Sequence, residues 1–340
     1  MRTIYLNDDY EVELRDLPEP EPAPDEVLIR VRAGGICGTD LSVYTNDHFL
    51  RTAPQILGHE VSGEVVRPGS ATEGWKEGDR VFVSPVVFCG ACAACEAGRA
   101  NQCENVGLPG LNLPGLFSDL ISMPAKTLHR LPDSIGWRAG AMVEPTSVAF
   151  HGVRRGEPTK GGSVAVLGAG PIGALATLIC HHVHDSRLMV ADLKQSNLDL
   201  LADLTGATTV NPASGSVIET GKELTDGRGF DLVLVANHAQ QSLTDAIELT
   251  RSGGRVVAIA AAYDGEPRVN VPMLVWRELE MRGTMAFTDE DIRTVIDLIE
   301  GGMPVERLAT HLHEPEEAPA VFAAMAAGDG GHVKTLFEFA

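Results

Sequence analysis

The sequence lacks any long apolar run, and this absence narrows what the chain can be. No stretch reaches the roughly 18 apolar residues that a membrane-spanning helix needs, and the opening segment MRTIYLNDDYEVELRD has no signal-peptide core. Hydrophobic residues make up 44% and charged residues 22% of the 340 residues, which is typical of a soluble globular protein. We therefore expect a cytoplasmic protein of two domains that does not bind a membrane.

Positive charge is also scarce. The chain has 27 Lys and Arg against 47 Asp and Glu, a formal net charge of -20. Nucleic-acid phosphates would be repelled by such a surface, so a nucleic-acid partner is not expected. The simplest interpretation of the excess acid is a solvated surface that keeps the protein in solution.

Cysteine is sparse but clustered. Four of the six cysteines lie between positions 89 and 103 with the spacing C-x2-C-x2-C-x7-C: Cys89, Cys92, Cys95 and Cys103. Four thiolates at this spacing predict a closed tetrahedral zinc site with a structural role. An iron–sulfur cluster and free thiols are the alternatives, but the spacing matches a ferredoxin only in part and no proline follows the last cysteine.

The pattern of apolar, glycine and proline residues changes along the chain. Residues 1 to about 145 hold short β-type runs punctuated by Gly and Pro, which predict a mainly β body with long loops. PEPEPAPDE, at 18–26, is predicted to be a polar connection between early strands. From about 160 to 287, apolar strands alternate with helices, which indicates a doubly wound parallel sheet. We expect the last 50 residues to return to the first domain.

Two helix boundaries in the second half can be predicted from their end residues. The helix in SNLDLLADLTG is expected to begin at a Ser196 cap and to stop at Gly206. A later helix should begin at Thr288, with Asp291 three residues on, and end at Gly301.

A glycine-rich turn follows the first of these strands. Gly168, Gly170 and Gly173 form G-A-G-P-I-G, with Pro171 and Ile172 inside the motif, between a strand and a helix. In that context the pattern predicts a pyrophosphate site at the helix N-terminus. Asp192 ends the next strand 19 residues after Gly173, where an acid accepts ribose hydroxyls and repels the 2′-phosphate of NADP. The interpretation is an NAD site; an ordinary glycine turn is the alternative, and Lys194 slightly weakens the preference for NAD.

Cys37 and His59 stand 22 residues apart, with Glu60 beside the histidine. Spacing alone makes this a weak metal prediction, because single Cys and His residues are common in cores. A larger set of motifs is more specific: GGICGTDLS (34–42), GHEVSGEV (58–65), the four cysteines, VEPTSVAFHGVRRG (143–156) and VLGAGPIG (166–173). Together, and in this order along the whole chain, they resemble the medium-chain zinc alcohol dehydrogenase family, in its sorbitol and butanediol dehydrogenase branch.

The resemblance implies an α/β protein with a GroES-like, mainly β catalytic domain at 1–146 and 288–340, whose structural zinc lobe spans 86–106. It implies a Rossmann NAD-binding domain at 147–287 and two zinc ions per chain. Cys37, His59 and Glu144 are then catalytic zinc ligands, and Glu60 is the acid that binds or releases the metal. The same resemblance makes Asp40 the carboxylate that orients the histidine and Thr39 the acceptor of the alcohol proton.

The chain departs from the family pattern at several positions. Ser42 replaces a proton-relay histidine, so water or another group such as His48 must serve. Ala286 replaces an arginine that holds polyols in sorbitol dehydrogenases, and GTMAFTDED (283–291) is closer to butanediol dehydrogenases. Three aromatic residues are candidates for the substrate pocket or equally for the core: Phe49, Phe117 and Phe287.

The predicted activity is hydride transfer between NAD and a secondary alcohol such as a vicinal diol, hydroxyketone, polyol or cyclitol. A threonine-type amino-alcohol dehydrogenase and a non-catalytic zinc or redox-sensing protein on the same fold are the alternatives. The family also implies a homo-oligomer, a dimer or tetramer, for which the apolar segment GGRVVAIAAAY (253–263) is a candidate edge.

Overall fold

A computed structural model describes residues 1–47, 53–259, 266, 268–328 and 333–340. The chain divides into two compact units. Unit 1 comprises Met1–Glu144, Thr288–Gly330 and Lys334–Ala340, and unit 2 comprises Pro145–Phe287 with Gly331–Val333. No helix in the described part of the chain is long and apolar enough to cross a membrane.

Unit 1 is mainly β. Its first part contains, in chain order, β1 (Arg2–Leu6), β2 (Val12–Asp16), β3 (Glu26–Gly35), α1 (Gly38–Tyr44), β4 (Gln55–Ile56), β5 (Glu60–Pro68), β6 (Arg80–Val83), α2 (Ala93–Glu96), β7 (Leu120–Pro124), β8 (Leu128–Arg130) and α3 (Trp137–Ala141). The helix α4 (Val143–Gly156) starts here and continues into unit 2. PEPEPAPDE lies, as predicted, between β2 and β3.

Unit 2 alternates strands with helices. Its elements are β9 (Ser163–Leu167), α5 (Pro171–His184), β10 (Arg187–Ala191), α6 (Gln195–Thr205), β11 (Thr208–Val210), α7 (Val217–Leu224), β12 (Phe230–Val235), α8 (Gln240–Leu249), β13 (Thr250–Ala258), α9 (Val271–Arg277) and β14 (Glu280–Gly283). The chain then adds α10 (Asp289–Glu300), β15 (Ala309–His313), α11 (Ala318–Ala326) and β16 (Lys334–Glu338) to unit 1.

The two units have different sheets. In unit 1 the main sheet runs β15-β16-β3-β5-β6-β8, with β7 also paired to β3, and a smaller sheet runs β2-β1-β4. In unit 2 six parallel strands run β11-β10-β9-β12-β13-β14, which is the strand order of a Rossmann domain. The predicted fold class, a mainly β domain with a doubly wound parallel-sheet domain, is confirmed.

Several local predictions can be compared with these boundaries. Thr288 caps α10 and exchanges hydrogen bonds with Asp291, while Gly301 follows the last helical residue, so both ends of α10 are confirmed. Gly206 ends α6 with a φ of 66°, but the residue before the helix is Lys194. The predicted Ser196 cap is therefore wrong, because α6 starts one residue before it.

The described part of the predicted oligomer edge does not lie at an edge of the sheet. Residues 253–258 of GGRVVAIAAAY belong to β13, which pairs with β12 on one side and with β14 on the other, and residues 260–263 lie outside the described residues. A strand with neighbours on both sides has no free backbone groups to offer another chain. Of the described strands, the outer one at this end of the sheet is β14.

Candidate functional site

The first part of the site is the turn from β3 into α1. Cys37 is the N-cap of α1, and Asp40, three residues on, closes a capping box with it. One oxygen of Asp40 accepts the backbone N–H of Cys37 at 2.8 Å, and the other accepts the N–H of Gly58 at 3.0 Å. A single buried carboxylate therefore connects the cysteine turn to the segment that carries His59.

His59 is oriented by the same carboxylate. Its Nδ1 lies 3.5 Å from Asp40 Oδ1, with the imidazole side chain 11% exposed, and this arrangement leaves Nε2 available as a ligand. Burial acts to lower the pKa of His59, but the negative charges of Asp40 and Cys37 outweigh it and raise that pKa well above its usual value. The surroundings of the imidazole thus favour positive charge.

The structure brings three of the predicted ligands together. Donor atoms of Cys37, His59 and Glu60 all lie within 4.8 Å of one another. A thiol, an imidazole and a carboxylate are the donors that zinc uses in proteins, so these residues fit the ion that the sequence predicts. The buried Glu144 does not belong to this set, and its role as a ligand stays a prediction.

Glu144 nevertheless interacts electrostatically with the charged residues of this site. It lies in the first turn of α4 and is 7% exposed. Burial, reinforced by the negative charge of Glu60, raises the pKa of Glu144 to about 8. Two buried carboxylates resist ionising at the same time unless positive charge lies near both. His59 and Lys334 offset part of this repulsion, and a bound metal ion would offset more of it.

Lys334 belongs to this cluster, and the sequence reasoning missed it. Its ammonium group donates to Glu60 Oε1 at 2.7 Å and to the carbonyl of Ile36 at 2.8 Å, and it also contacts Glu60 Oε2. Both side chains of the pair are 1% exposed. A charged residue inside the apolar run VKTLFEF was the only available signal, since 274 residues separate the partners.

The proton-handling residues are less completely placed. Thr39 lies in the first turn of α1, with its Oγ1 3.5 Å from Cys37 Sγ. The Ser42 hydroxyl donates to the carbonyl of Gly38 at 3.1 Å, one turn back on the same helix. The suggested relay residue His48 and the pocket candidate Phe49 lie outside the described residues.

The four cysteines form a second candidate metal site in unit 1. Their sulfurs lie 3.5 Å apart for Cys89–Cys103 and for Cys92–Cys95, 3.9 Å for Cys89–Cys95, and 4.0 Å for Cys92–Cys103. Four sulfurs each about 2.3 Å from one zinc ion would be about 3.8 Å from one another. The loop is therefore already close to the shape of a tetrahedral site.

The electrostatics of this loop come from the backbone. Backbone hydrogen bonds, chiefly from the N–H of Ala91, lower the pKa of Cys89 to about 6. The N–H groups of Cys89 and Asn105 both point at Cys103 Sγ, at 3.4 Å each. Such bonds favour thiolates, which are the form that binds metal.

The glycine turn of unit 2 has the shape that a dinucleotide requires. Gly168 has a φ of 109°, and a Cβ on Gly173 would lie 1.8 Å from the Gly168 carbonyl oxygen, so neither position accepts a side chain. A Cβ on Gly170 would meet nothing within 4 Å, which leaves open space before α5. Gly170 caps α5 without a side-chain bond, and Pro171 and Ile172 begin the helix. Its first N–H groups can thus face a phosphate.

Asp192 stands at the end of β10 beside this turn. Its carboxylate accepts the N–H of Ala169 at 2.6 Å and that of Lys194 at 2.8 Å. Each oxygen keeps a lone pair free for a further donor. Asp192 therefore holds the glycine turn in place and can also accept a ribose hydroxyl.

The remaining candidates for the substrate pocket are buried side chains. Phe117 is fully buried and stacks edge-on against Phe337, with ring centroids 5.6 Å apart, and Phe287 is 2% exposed. Phe117 thus packs in the core of unit 1, and a pocket role for Phe287 stays a prediction. Ala286 has a φ of 46°, a left-handed conformation that is uncommon for any residue but glycine.

Two family models match the chain. One describes the alcohol dehydrogenase GroES-like domain and covers residues 23–133. The other describes a zinc-binding dehydrogenase and covers residues 171–301. The first match spans Cys37, His59, Glu60 and the four-cysteine loop, and the second begins inside the glycine turn.

Individual relatives agree with these models. Sorbitol dehydrogenase of Bacillus subtilis strain 168 is 30% identical over 93% of this chain and 91% of its own length. The crystal structure of 2R,3R-butanediol dehydrogenase from Bacillus subtilis has a TM-score of 0.90 and 27% identity, with 99% of both chains covered. A protein from Sinorhizobium meliloti 1021 described as a zinc-binding dehydrogenase and solved with NADP has a TM-score of 0.93 and 30% identity, covering 99% of this chain and 98% of its own.

Proposed function

The chain belongs to the zinc-containing medium-chain alcohol dehydrogenase family, in its polyol dehydrogenase branch, and we propose that it transfers a hydride between NAD and a compact secondary alcohol. The observation that supports this most is the convergence of Cys37, His59 and Glu60 within 4.8 Å in a buried, acid-rich site. That donor set matches a zinc ion, and its charge balance favours one.

The residues around the catalytic zinc have separate tasks. Cys37, His59 and a carboxylate of Glu60 or Glu144 would hold the ion, which supplies a Lewis acid that makes a substrate hydroxyl more acidic. Asp40 fixes the turn at Cys37 with one carboxylate oxygen and orients the His59 ring with the other. Thr39 Oγ1, next to the thiol, accepts the hydroxyl proton and passes its own proton on to water.

The cofactor is bound by unit 2. Gly168, Gly170 and Gly173 give the pyrophosphate room at the start of α5, and Asp192 accepts the ribose hydroxyls. A carboxylate in this position repels a 2′-phosphate, so we propose NAD as the preferred cofactor although the Sinorhizobium meliloti protein was solved with NADP. Bound NAD would supply the nicotinamide ring as the hydride acceptor.

Asp192→Ala tests the choice of cofactor. We expect the KM for NAD to rise roughly tenfold and discrimination against NADP to fall, because a lost charged hydrogen bond costs about 1.5–3 kcal/mol. Asp199→Ala removes an exposed acid of α6 that accepts a hydrogen bond from Gln195 and serves as the matched control. An unchanged ratio of kcat/KM for the two cofactors in Asp192→Ala would place the selectivity elsewhere.

The second zinc would be bound by Cys89, Cys92, Cys95 and Cys103. Four thiolates leave no position open, so the ion has a structural role. The sulfur separations of 3.5–4.0 Å support a total of two zinc ions per chain. Metal analysis of the purified protein measures this number directly.

The substrate is proposed to be a vicinal diol, a hydroxyketone, a polyol or a cyclitol. Relatives named for sorbitol and for 2R,3R-butanediol support this class. Ala286 carries no group that could pair with a polyol hydroxyl, which favours the smaller diols. Initial rates of NADH formation over a panel of diols, polyols, cyclitols and threonine would rank these substrates. Zinc-loaded protein that forms no NADH with any of them would instead support a non-catalytic zinc protein.

A homo-oligomer is proposed to form along β14. Among the described strands, β14 has a neighbour on one side only. Val275 and Trp276 on the adjacent helix α9 are 73% and 90% exposed, and Met281 on β14 is 37% exposed. Open strand hydrogen-bonding groups next to exposed apolar side chains suit pairing with a second copy. Trp276→Arg should lower the mass measured by light scattering, whereas Leu312→Ala, on unit 1, should not.

The cytoplasm is the proposed location. Six cysteines without a disulfide and two predicted thiolate–zinc sites require a reducing compartment. Fractionation of the native cells, followed by detection of the protein, tests this directly.

A further inference from the structure

Lys334 and Glu60 form an ion pair that is almost completely removed from water. Their side chains are each 1% exposed, and the ammonium group is held by Glu60 and by the carbonyl of Ile36. Burying two charges carries a large desolvation cost, and replacing such a pair by apolar residues is often neutral or stabilising. Stability alone therefore does not explain the pair.

The surrounding backbone is arranged to make room for this pair. Lys334 begins β16, which pairs antiparallel with the end of β3 where Leu336 faces Gly35. A Cβ on Gly35 would lie 2.2 Å from Glu60 Oε2 and 3.0 Å from Lys334 Cε. Any larger residue at Gly35 would displace one of the two charged groups. The lysine therefore meets the carboxylate in a space that only glycine leaves open.

The position of Glu60 gives it two competing partners. Its carboxylate lies within 4.8 Å of the donor atoms of Cys37 and His59, and it also receives two contacts from the ammonium group. A carboxylate whose lone pairs already accept bonds from a cation is a weaker ligand for a second cation. The ammonium group donates its hydrogen bonds to Glu60 and to the Ile36 carbonyl, so it does not engage the carboxylate of the buried Glu144 in the same way.

We propose that Lys334 is a positioning residue that holds the Glu60 carboxylate back from the catalytic zinc and so keeps one coordination position open for water or substrate. This inference relies on the proposed function for the presence of the zinc ion. With Lys334 in place, the resting ligands are Cys37, His59 and Glu144. Without it, Glu60 closes the site as a fourth protein ligand.

Lys334→Met tests the proposal, because methionine keeps the length of the side chain and removes its charge. With cobalt(II) in place of zinc, we expect the visible absorption bands of the variant to change, as they report the ligand set of the ion. We also expect the metal to be held roughly tenfold more tightly in chelator competition, and kcat to fall about ten- to a hundredfold. A residue needed only for folding would give weaker metal binding.

Three further variants make the result decisive. Lys334→Met combined with Glu60→Gln should regain the wild-type cobalt spectrum, because the added ligand is gone. Lys334→Arg should keep that spectrum, and Lys222→Met, which removes a surface lysine paired with Glu248, should change nothing. An unaltered cobalt spectrum in folded Lys334→Met would overturn the proposal.

Glu60→Gln alone covers the case in which Lys334→Met does not fold. If Lys334 holds Glu60 away from the metal at rest, Glu60→Gln should leave the resting cobalt spectrum of the protein as in the wild type. A changed spectrum in that variant shows that Glu60 is a resting ligand and refutes the inference. These spectra need no turnover, so they are independent of whether the wild-type protein oxidises any alcohol on the panel.

Discussion

The two candidate metal sites of unit 1 are built in opposite ways. The four-cysteine site comes from one stretch of chain, between 89 and 103, and is supported by backbone N–H groups that point at its sulfurs. The other site collects Cys37 from the N-cap of α1, Glu60 from β5 and Lys334 from β16, with Glu144 of α4 buried in the same unit. A local loop suffices to enclose an ion, whereas an ion that must stay accessible depends on tertiary structure.

The electrostatic surroundings of the two candidate metal sites also differ. At the four-cysteine site, backbone bonds lower the pKa of Cys89 to about 6, whereas burial raises the pKa of Cys95 to about 12. At the other site, burial and Glu60 raise the pKa of Glu144 to about 8. A further cation near Glu144 would lower that pKa again. The donors of the first site thus come from one loop, while those of the second come from distant parts of the sequence.

The largest expected effect is at the assembled site. Cys37→Ala should reduce kcat/KM by at least about a thousandfold, because losing a Lewis acid removes roughly 4 kcal/mol of transition-state stabilisation. NADH formation and zinc content measured on the same sample check this. Cys180→Ala removes a buried thiol of unit 2 that belongs to neither metal cluster and should keep most of the activity. Activity retained by Cys37→Ala would contradict the zinc mechanism.

Partial removal of metal should separate the two sites. A mild chelator should release one zinc ion from the open site first, since four thiolates enclose the other. We expect turnover to disappear with the first equivalent released, while the melting temperature changes little. A colorimetric zinc indicator read alongside activity measures both. Simultaneous release of the two ions would contradict the difference between the sites.

A smaller effect is expected from Asp40→Asn, which keeps the shape of the side chain and removes its charge. Asp40 faces His59 Nδ1 and accepts the N–H groups of Cys37 and Gly58. Loss of such a partner usually costs about 10- to 100-fold in metal affinity or activity. Zinc affinity and kcat should therefore fall together. Asp199→Asn, on the surface of unit 2, is the control.

The smallest effect on turnover is expected from Cys103→Ala. Three thiolates hold zinc less well than four, so the variant should be less stable. A loss of about 2 kcal/mol would lower the melting temperature by about 4–8 °C in a domain of this size, while kcat of the folded fraction stays within about twofold of wild type. A loss of activity as large as that of Cys37→Ala would show that the two sites are not independent.

Much of the fold could be predicted from local patterns. Near-continuous apolar strands such as SVAVL and FDLVLV gave the parallel sheet, and the Thr288–Asp291 pair gave the start of α10. Each of these signals lies within a few residues of the feature that it predicts. The prediction of a Ser196 cap was wrong because α6 begins at Gln195, one residue before this serine.

The candidate site was predictable only where its residues lie in short motifs. Cys37, Thr39 and Asp40 share one turn, and His59 and Glu60 are adjacent, so their proximity is partly local. Lys334 has no such neighbour, because tertiary structure alone brings it to Glu60. The position of β13 inside the sheet has the same origin, since the pairing of β14 beside it is set by tertiary structure.

The pairing of β16 with β3 also affects the order in which the two units can fold during synthesis. β16 lies between β15 and β3 in the main sheet, and its first residue supplies the ammonium group beside Glu60. Unit 2, formed mostly by one continuous segment, can therefore fold while a nascent chain is still leaving the ribosome, but unit 1 cannot complete its sheet until β16 has been released. The acid-rich metal pocket is thus finished last, when the rest of its scaffold is already in place.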